Sequence, residues 1–109
     1  MRKIASLIAL CLAVSALAAR AADAKENWEK NCQKCHGADG KGETAMGKKL
    51  KVKDYTDAKV QASFKDEEAI KLTKEGKKEG DKNLMPGFAD KLSDQEIKDL
   101  VGYVRKFKK

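Results

Sequence analysis

Histidine and proline occur once each in these 109 residues, as His36 and Pro86. Arginine is nearly as scarce, with only Arg2, Arg20 and Arg105, so lysine supplies most of the formal charge of +7. A lone histidine cannot make a paired-imidazole metal site. The shortage of arginine removes the forked side chain that reads phosphates and base edges. Aromatics, at 6%, form no stacking series, and nucleic-acid binding is therefore a poor reading. No βαβ pattern is present, no internal repeat, and nothing reads as a strand. The longest apolar run, Ile4 to Ala19, is about 16 residues, short of the ~20 needed to span a bilayer.

That run has a different meaning. Arg2 and Lys3 form a positive start, and small residues follow it with A-x-A matches at Ala16/Ala18, Ala19/Ala21 and Ala22/Ala24. The pattern predicts a secretory signal peptide over 1–22, with cleavage somewhere in 18–24, and one domain over 23–109. Cleavage removes Cys11, and its neighbour Leu10 is too bulky for a lipoprotein site. Loss of Arg2, Lys3 and Arg20 takes 24 basic residues to 21 against 17 acidic ones, a charge of +4. The mature chain is expected to be exported, in a periplasm rather than a photosynthetic lumen, without a membrane span. Exported proteins normally use cysteines for disulfides. Here only Cys32 and Cys35 remain.

Those two thiols stand in Cys32-Gln33-Lys34-Cys35-His36. A C-x-x-C-H run reads as a covalent haem site: each thiol adds across one vinyl group, and the adjacent imidazole reaches the iron from one face as a proximal ligand. Zinc would need a second ligand pair. A disulfide across two residues would be short and strained, and a thioredoxin-like dithiol lacks its βαβ setting. A chain this small is marginal on its apolar core alone. One covalent haem c would supply the missing apolar body.

Around the motif, a helix is predicted over Lys25 to Lys34, with Trp28 one turn ahead of Cys32 on the same face. Residues 37–42, with three glycines, form a loop. From Thr44 to Ser63 the pattern suggests loop with short helical turns over an apolar object. Asp66 to Lys74 reads as a helix ended by Gly76, and Lys77 to Asn83 as a polar loop leading to Leu84-Met85-Pro86-Gly87-Phe88. Ser93 and Glu96 form a capping box, followed at helical spacing by Ile97, Leu100, Val101, Val104 and Phe107, with Tyr103 on the edge of the stripe. The predicted architecture is all-α: three main helices and loops wrapped around the cofactor.

The iron's second ligand is open to methionine, lysine, an amino terminus, water or a vacancy. Met85 is favoured over Met46, because Pro86 biases Met85 toward extended backbone and Gly87 keeps the segment compact. A thioether favours reduced iron, so Met/His coordination raises the potential.

The chain resembles a class I cytochrome c of the small soluble bacterial monohaem kind. The resemblance rests on residues 32–42, 84–88 and 92–104 taken in that order. It implies thioether links at Cys32 and Cys35, axial ligands at His36 and Met85, and Trp28 packed on the last helix opposite Leu100 and Tyr103. Pro86 belongs to the same pocket set. Ala24 departs from the pattern, since many members have glycine at the helix crossing, and its extra methyl could widen that crossing or shift its register.

The function expected is that of a soluble, monomeric one-electron carrier rather than an enzyme. Its partners would be transient redox proteins with acidic docking surfaces, met by a lysine rim for which Lys30, Lys34 and Lys41 are candidates. The alternatives are a haem enzyme or gas-binding protein with an open distal site, and a dedicated haem subunit of an oxidoreductase complex.

Overall fold

The computed structural model describes residues 19–109. Most of the expected signal peptide, 1–18, lies outside the described residues. Helix α1 covers 19–31, and after a turn at Cys32 the chain continues as α2 (Gln33–His36). Two short helices follow, α3 (Ala45–Leu50) and α4 (Ala58–Ala62), then α5 (Asp66–Glu75). A hairpin of β1 (Lys77–Glu79) and β2 (Lys82–Met85) leads to α6 (Asp94–Arg105). Among the described residues no helix is long and apolar enough to cross a membrane.

The first helix starts earlier than predicted and pauses where continuity was expected. At Cys32 the backbone leaves ideal helical angles (φ −118°, ψ −34°), yet its N–H still bonds Trp28 O at 2.9 Å, and His36 N–H bonds Cys32 O at 3.0 Å. The motif is thus a kinked continuation of α1.

Short helices in the weakly patterned stretch are set by their caps. Thr44 Oγ1 accepts from Gly47 N–H, and the Asp57 side chain from Lys59 N–H, each satisfying a donor that a helix start leaves unpaired. Helix α5 opens on Asp66, Glu67 and Glu68, acidic residues suited to the positive end of the helix dipole. Gly76 ends it as predicted, and its φ +79° and ψ −178° send the chain straight into β1. The capping box at Ser93 and Glu96 is present as predicted.

The hairpin corrects the sequence reading, which assigned a polar loop to 77–83 and a loop position to Met85. Lys77 faces Met85 and Glu79 faces Lys82 in antiparallel register, with Gly80 at φ +61° in the turn. Both faces of the ribbon's tip are exposed to solvent. Apolar alternation therefore had no reason to develop, and only Leu84 and Met85, at the base, turn inward.

Trp28, Cys32, Phe88, Leu92, Ile97 and Leu100 form the core. Burying each large apolar side chain contributes about 1.5–3 kcal/mol relative to exposure. Trp28 meets Tyr103 at 5.7 Å and Phe107 at 5.1 Å between ring centres, which seats α1 on α6. Ala24 is buried, only 4% exposed. Asn27 Nδ2 donates to Glu96 Oε2 at 3.1 Å, which ties α1 to the start of α6. Helix α5 packs on α6, and Lys74 Nζ pairs with Asp94 at 3.0 Å.

Candidate functional site: an apolar cleft over the Cys-x-x-Cys-His turn

Cys32, Cys35 and His36 line one side of a cleft of about 400 Å³, and Met85 and Pro86 line it as well. Most of the remaining lining is apolar: Leu50, Val52, Tyr55, Phe64, Ala69, Leu72, Leu84 and Phe88. Trp28 and Leu100 line a smaller adjoining space of about 60 Å³. Tyr103 reaches neither and supports Trp28 from behind. Met46, the alternative thioether, is half-buried outside the cleft lining.

His36 is held by rings. The Trp28 indole lies 5.5 Å from it and Tyr55 stacks on it at 5.4 Å with 29° between planes. Trp28 Nε1–H donates to Gly37 O at 2.9 Å, fixing the backbone just past the imidazole. The glycine-rich loop folds back on the same turn, with Gly42 N–H on His36 O at 2.8 Å and Thr44 Oγ1 donating to Cys35 O at 2.7 Å. Gly40 is required here. Its φ is +73°, and a Cβ would stand 2.6 Å from the Phe107 ring.

Met85 is positioned from two sides. Strand pairing with Lys77 holds its backbone. Beyond it, Phe88 N–H donates to Thr73 O at 2.9 Å and Ala89 N–H to Lys74 O at 3.3 Å, which satisfies carbonyls that the end of α5 leaves unpaired. This close approach depends on Gly76, where a Cβ would lie 2.5 Å from Met85 O.

The donor set fits a haem. His36 Nδ1 is buried without a hydrogen-bond partner, which is costly for a structural histidine and suits a ring whose role is ligation. Burial lowers the imidazole's pKa below its ordinary value, so its neutral, metal-binding form is favoured. Cys32 and Cys35 are free thiols. Burial foremost, and then the neighbouring Cys35, pushes the Cys32 thiol up to about 12, so in the folded chain it is protonated. Among the described residues, no group of three or more histidine, cysteine or acidic side chains could hold a bare metal ion. An open, largely apolar cleft of about 400 Å³ with a few convergent donor atoms is of the kind that takes a cofactor.

Of the lysines chosen from sequence, Lys30 is ion-paired along α1 with Glu26 at 2.8 Å. Lys34 and Lys41 lie outside the cleft lining. Lys51, Lys53 and Lys77 contribute to the lining, with Glu68 as the acidic member. Sequence reasoning assigned no pocket residue between 44 and 83, although Leu50, Val52, Tyr55, Phe64 and Leu72 all come from that stretch.

Residues 19–104 match the family described as cytochrome c oxidase, cbb3-type, subunit III. The cytochrome c6 of Thermosynechococcus vestitus is 34% identical over 101 residues, spanning 93% of this chain and 82% of the relative. The cytochrome c6 of Thermostichus vulcanus matches at the same identity and coverage. Among solved structures, the KustC0563 c-type cytochrome superposes with a TM-score of 0.70 at 38% identity, covering 78% of this chain and 96% of the other. Cleft, sequence match and superposition agree, and the chain belongs to the c-type cytochromes, helical electron-transfer proteins, not enzymes, that carry covalent haem c.

Proposed function

We propose that this protein is an exported one-electron carrier whose haem is linked through Cys32 and Cys35 and ligated by His36 and Met85. The observation that carries the reading is the shared cleft: both thiols, the lone imidazole and one methionine line the same apolar space. Bound haem c supplies the one-electron iron couple. The chain supplies the rest. His36 is braced between Trp28 and Tyr55, and Met85 is tied to α5 and β1, so both donors stay in place as charge arrives or leaves. Apolar walls disfavour the more highly charged oxidised state, and a thioether donor acts in the same direction.

Lysines at the cleft mouth suit brief encounters with acidic redox partners. Lys51, Lys53 and Lys77, which line the cleft, join Lys30, Lys34 and Lys41 as candidates for that rim. The leader at 1–22 and the A-x-A sites near its end support export, with a periplasm as the expected compartment.

The test is the absorption spectrum of holoprotein made in a host competent for haem attachment, wild type beside Met85→Ala. The far-red band of methionine bound to oxidised iron is expected in the wild type and absent from the variant. Its survival in Met85→Ala transfers the role to Met46. A mass equal to the bare processed chain would overturn the reading altogether.

A further inference from the structure

Arg105, the last residue of α6, makes more polar contacts than any role in capping that helix requires. Its Nε donates to Asp66 Oδ1 at 2.8 Å, its Nη2 to Phe64 O at 2.9 Å, and its Nη1 to both Gln61 O and Gln61 Oε1. The guanidinium also lies over the Phe64 ring, 4.2 Å from its centre. Gln61, 6% exposed, is the buried polar residue of the described chain, and its Nε2 donates to Tyr55 O at 2.7 Å and Val104 O at 2.9 Å. The contacts converge on the segment between α4 and α5. That segment carries Phe64 into the cleft, and Gln61 anchors Tyr55, which stacks on His36.

We propose that Arg105 is a positioning residue for the cofactor site: acting through Gln61 and the face of Phe64, it holds the wall formed by Tyr55 and Phe64 against His36 and so sets the redox potential of the bound haem. This rests on the functional reading above. A planar fork is needed because several acceptors lie in fixed directions and one aromatic face lies beneath them. Lysine can neutralise Asp66, but it cannot serve Gln61, Phe64 O and the ring together. With the fork lost, the wall loosens and water reaches the cleft, which stabilises the more charged oxidised state.

The experiment is a redox titration of holoprotein carrying Arg105→Lys, with Asp66→Asn as the control that removes the ion pair and leaves the fork on Gln61 and Phe64. Arg105→Lys is expected to keep covalent haem by mass and the far-red band, while its electron-binding constant falls about tenfold, or ~59 mV. Asp66→Asn is expected to titrate with the wild type. A purely structural role would lower thermal stability without moving the potential. An unchanged potential in Arg105→Lys overturns the proposal, as does a shift seen in Arg105→Gln but not in Arg105→Lys, which would make charge alone responsible. Should Arg105→Lys fail to fold, Phe64→Leu, which removes the ring and no hydrogen bond, must shift the constant in the same direction, and no shift there refutes the idea. Wild type without covalent haem would instead refute the functional reading itself.

Discussion

Replacing Trp28 separates two contributions that meet at one side chain. Its ring is 3% exposed and touches His36, Tyr103 and Phe107, while its Nε1–H reaches Gly37 O at 2.9 Å. Trp28→Phe keeps most of the apolar contact and deletes the donor. The Gly37 carbonyl keeps only the longer bond from Gly40 N–H at 3.3 Å, so the loss is that of one ordinary hydrogen bond, about 0.5–1.5 kcal/mol. Trp28→Ala removes the ring as well and belongs with truncations that cost about 3–5 kcal/mol. In a domain of this size each kcal/mol lowers the melting temperature by about 4–8 °C. Thermal unfolding of holoprotein, followed by far-ultraviolet circular dichroism, should therefore place Trp28→Phe roughly 2–12 °C below wild type and Trp28→Ala lower still. The reasoning fails if Trp28→Phe melts with the wild type, since the indole donor would then contribute nothing. It also fails if Trp28→Phe and Trp28→Ala melt together, since ring packing would then be irrelevant.

Gly76→Ala is expected to cost about 1–3 kcal/mol, because φ +79° with ψ −178° is a conformation that only glycine adopts without strain. The added methyl also meets Met85 O, so the far-red band should weaken along with stability, which parallel melting and absorption measurements check. Glu96 ties stability to pH: bonds from the Ser93 backbone first, and from Asn27, hold its carboxyl below its ordinary value of 4.5. A depressed acid stabilises the fold above that value, and the contribution is lost as pH falls through the folded-state pKa. Glu96→Gln retains the capping geometry without the titration, so its acid unfolding profile should be flatter than the wild type's. An identical profile would exonerate Glu96. Charge reversal at Lys51, Lys53 and Lys77 should slow electron exchange with an anionic metal complex several-fold at low salt and abolish the decline of that rate with rising salt. Stopped-flow kinetics decides the point, and an unchanged salt profile would place the docking rim elsewhere.

What the sequence made legible was chemistry with a short signature. The haem motif, the Ser93–Glu96 box, the apolar stripe of α6 and the stop at Gly76 each sit within a few residues and express a local rule. The caps Thr44 and Asp57 were equally local and could have been read as helix starts. The hairpin left no trace, because Lys77, Lys78, Glu79, Lys82 and Asn83 face water on both sides and are held by backbone pairing alone. The Arg105–Gln61 contact joins residues 44 apart and depends on how two helices meet. No periodicity encodes it.

The bonds from Phe88 and Ala89 to Thr73 and Lys74 have a kinetic consequence for the proposed thioether. Those two amides fasten the polypeptide beyond Met85 to the final turn of α5. A backbone excursion that carried Met85 away as a free loop would is opposed by these two bonds. Displacement by an external ligand such as imidazole should then saturate at a ceiling set by local unfolding, and the exchange rate of the Phe88 amide hydrogen should report the same opening event.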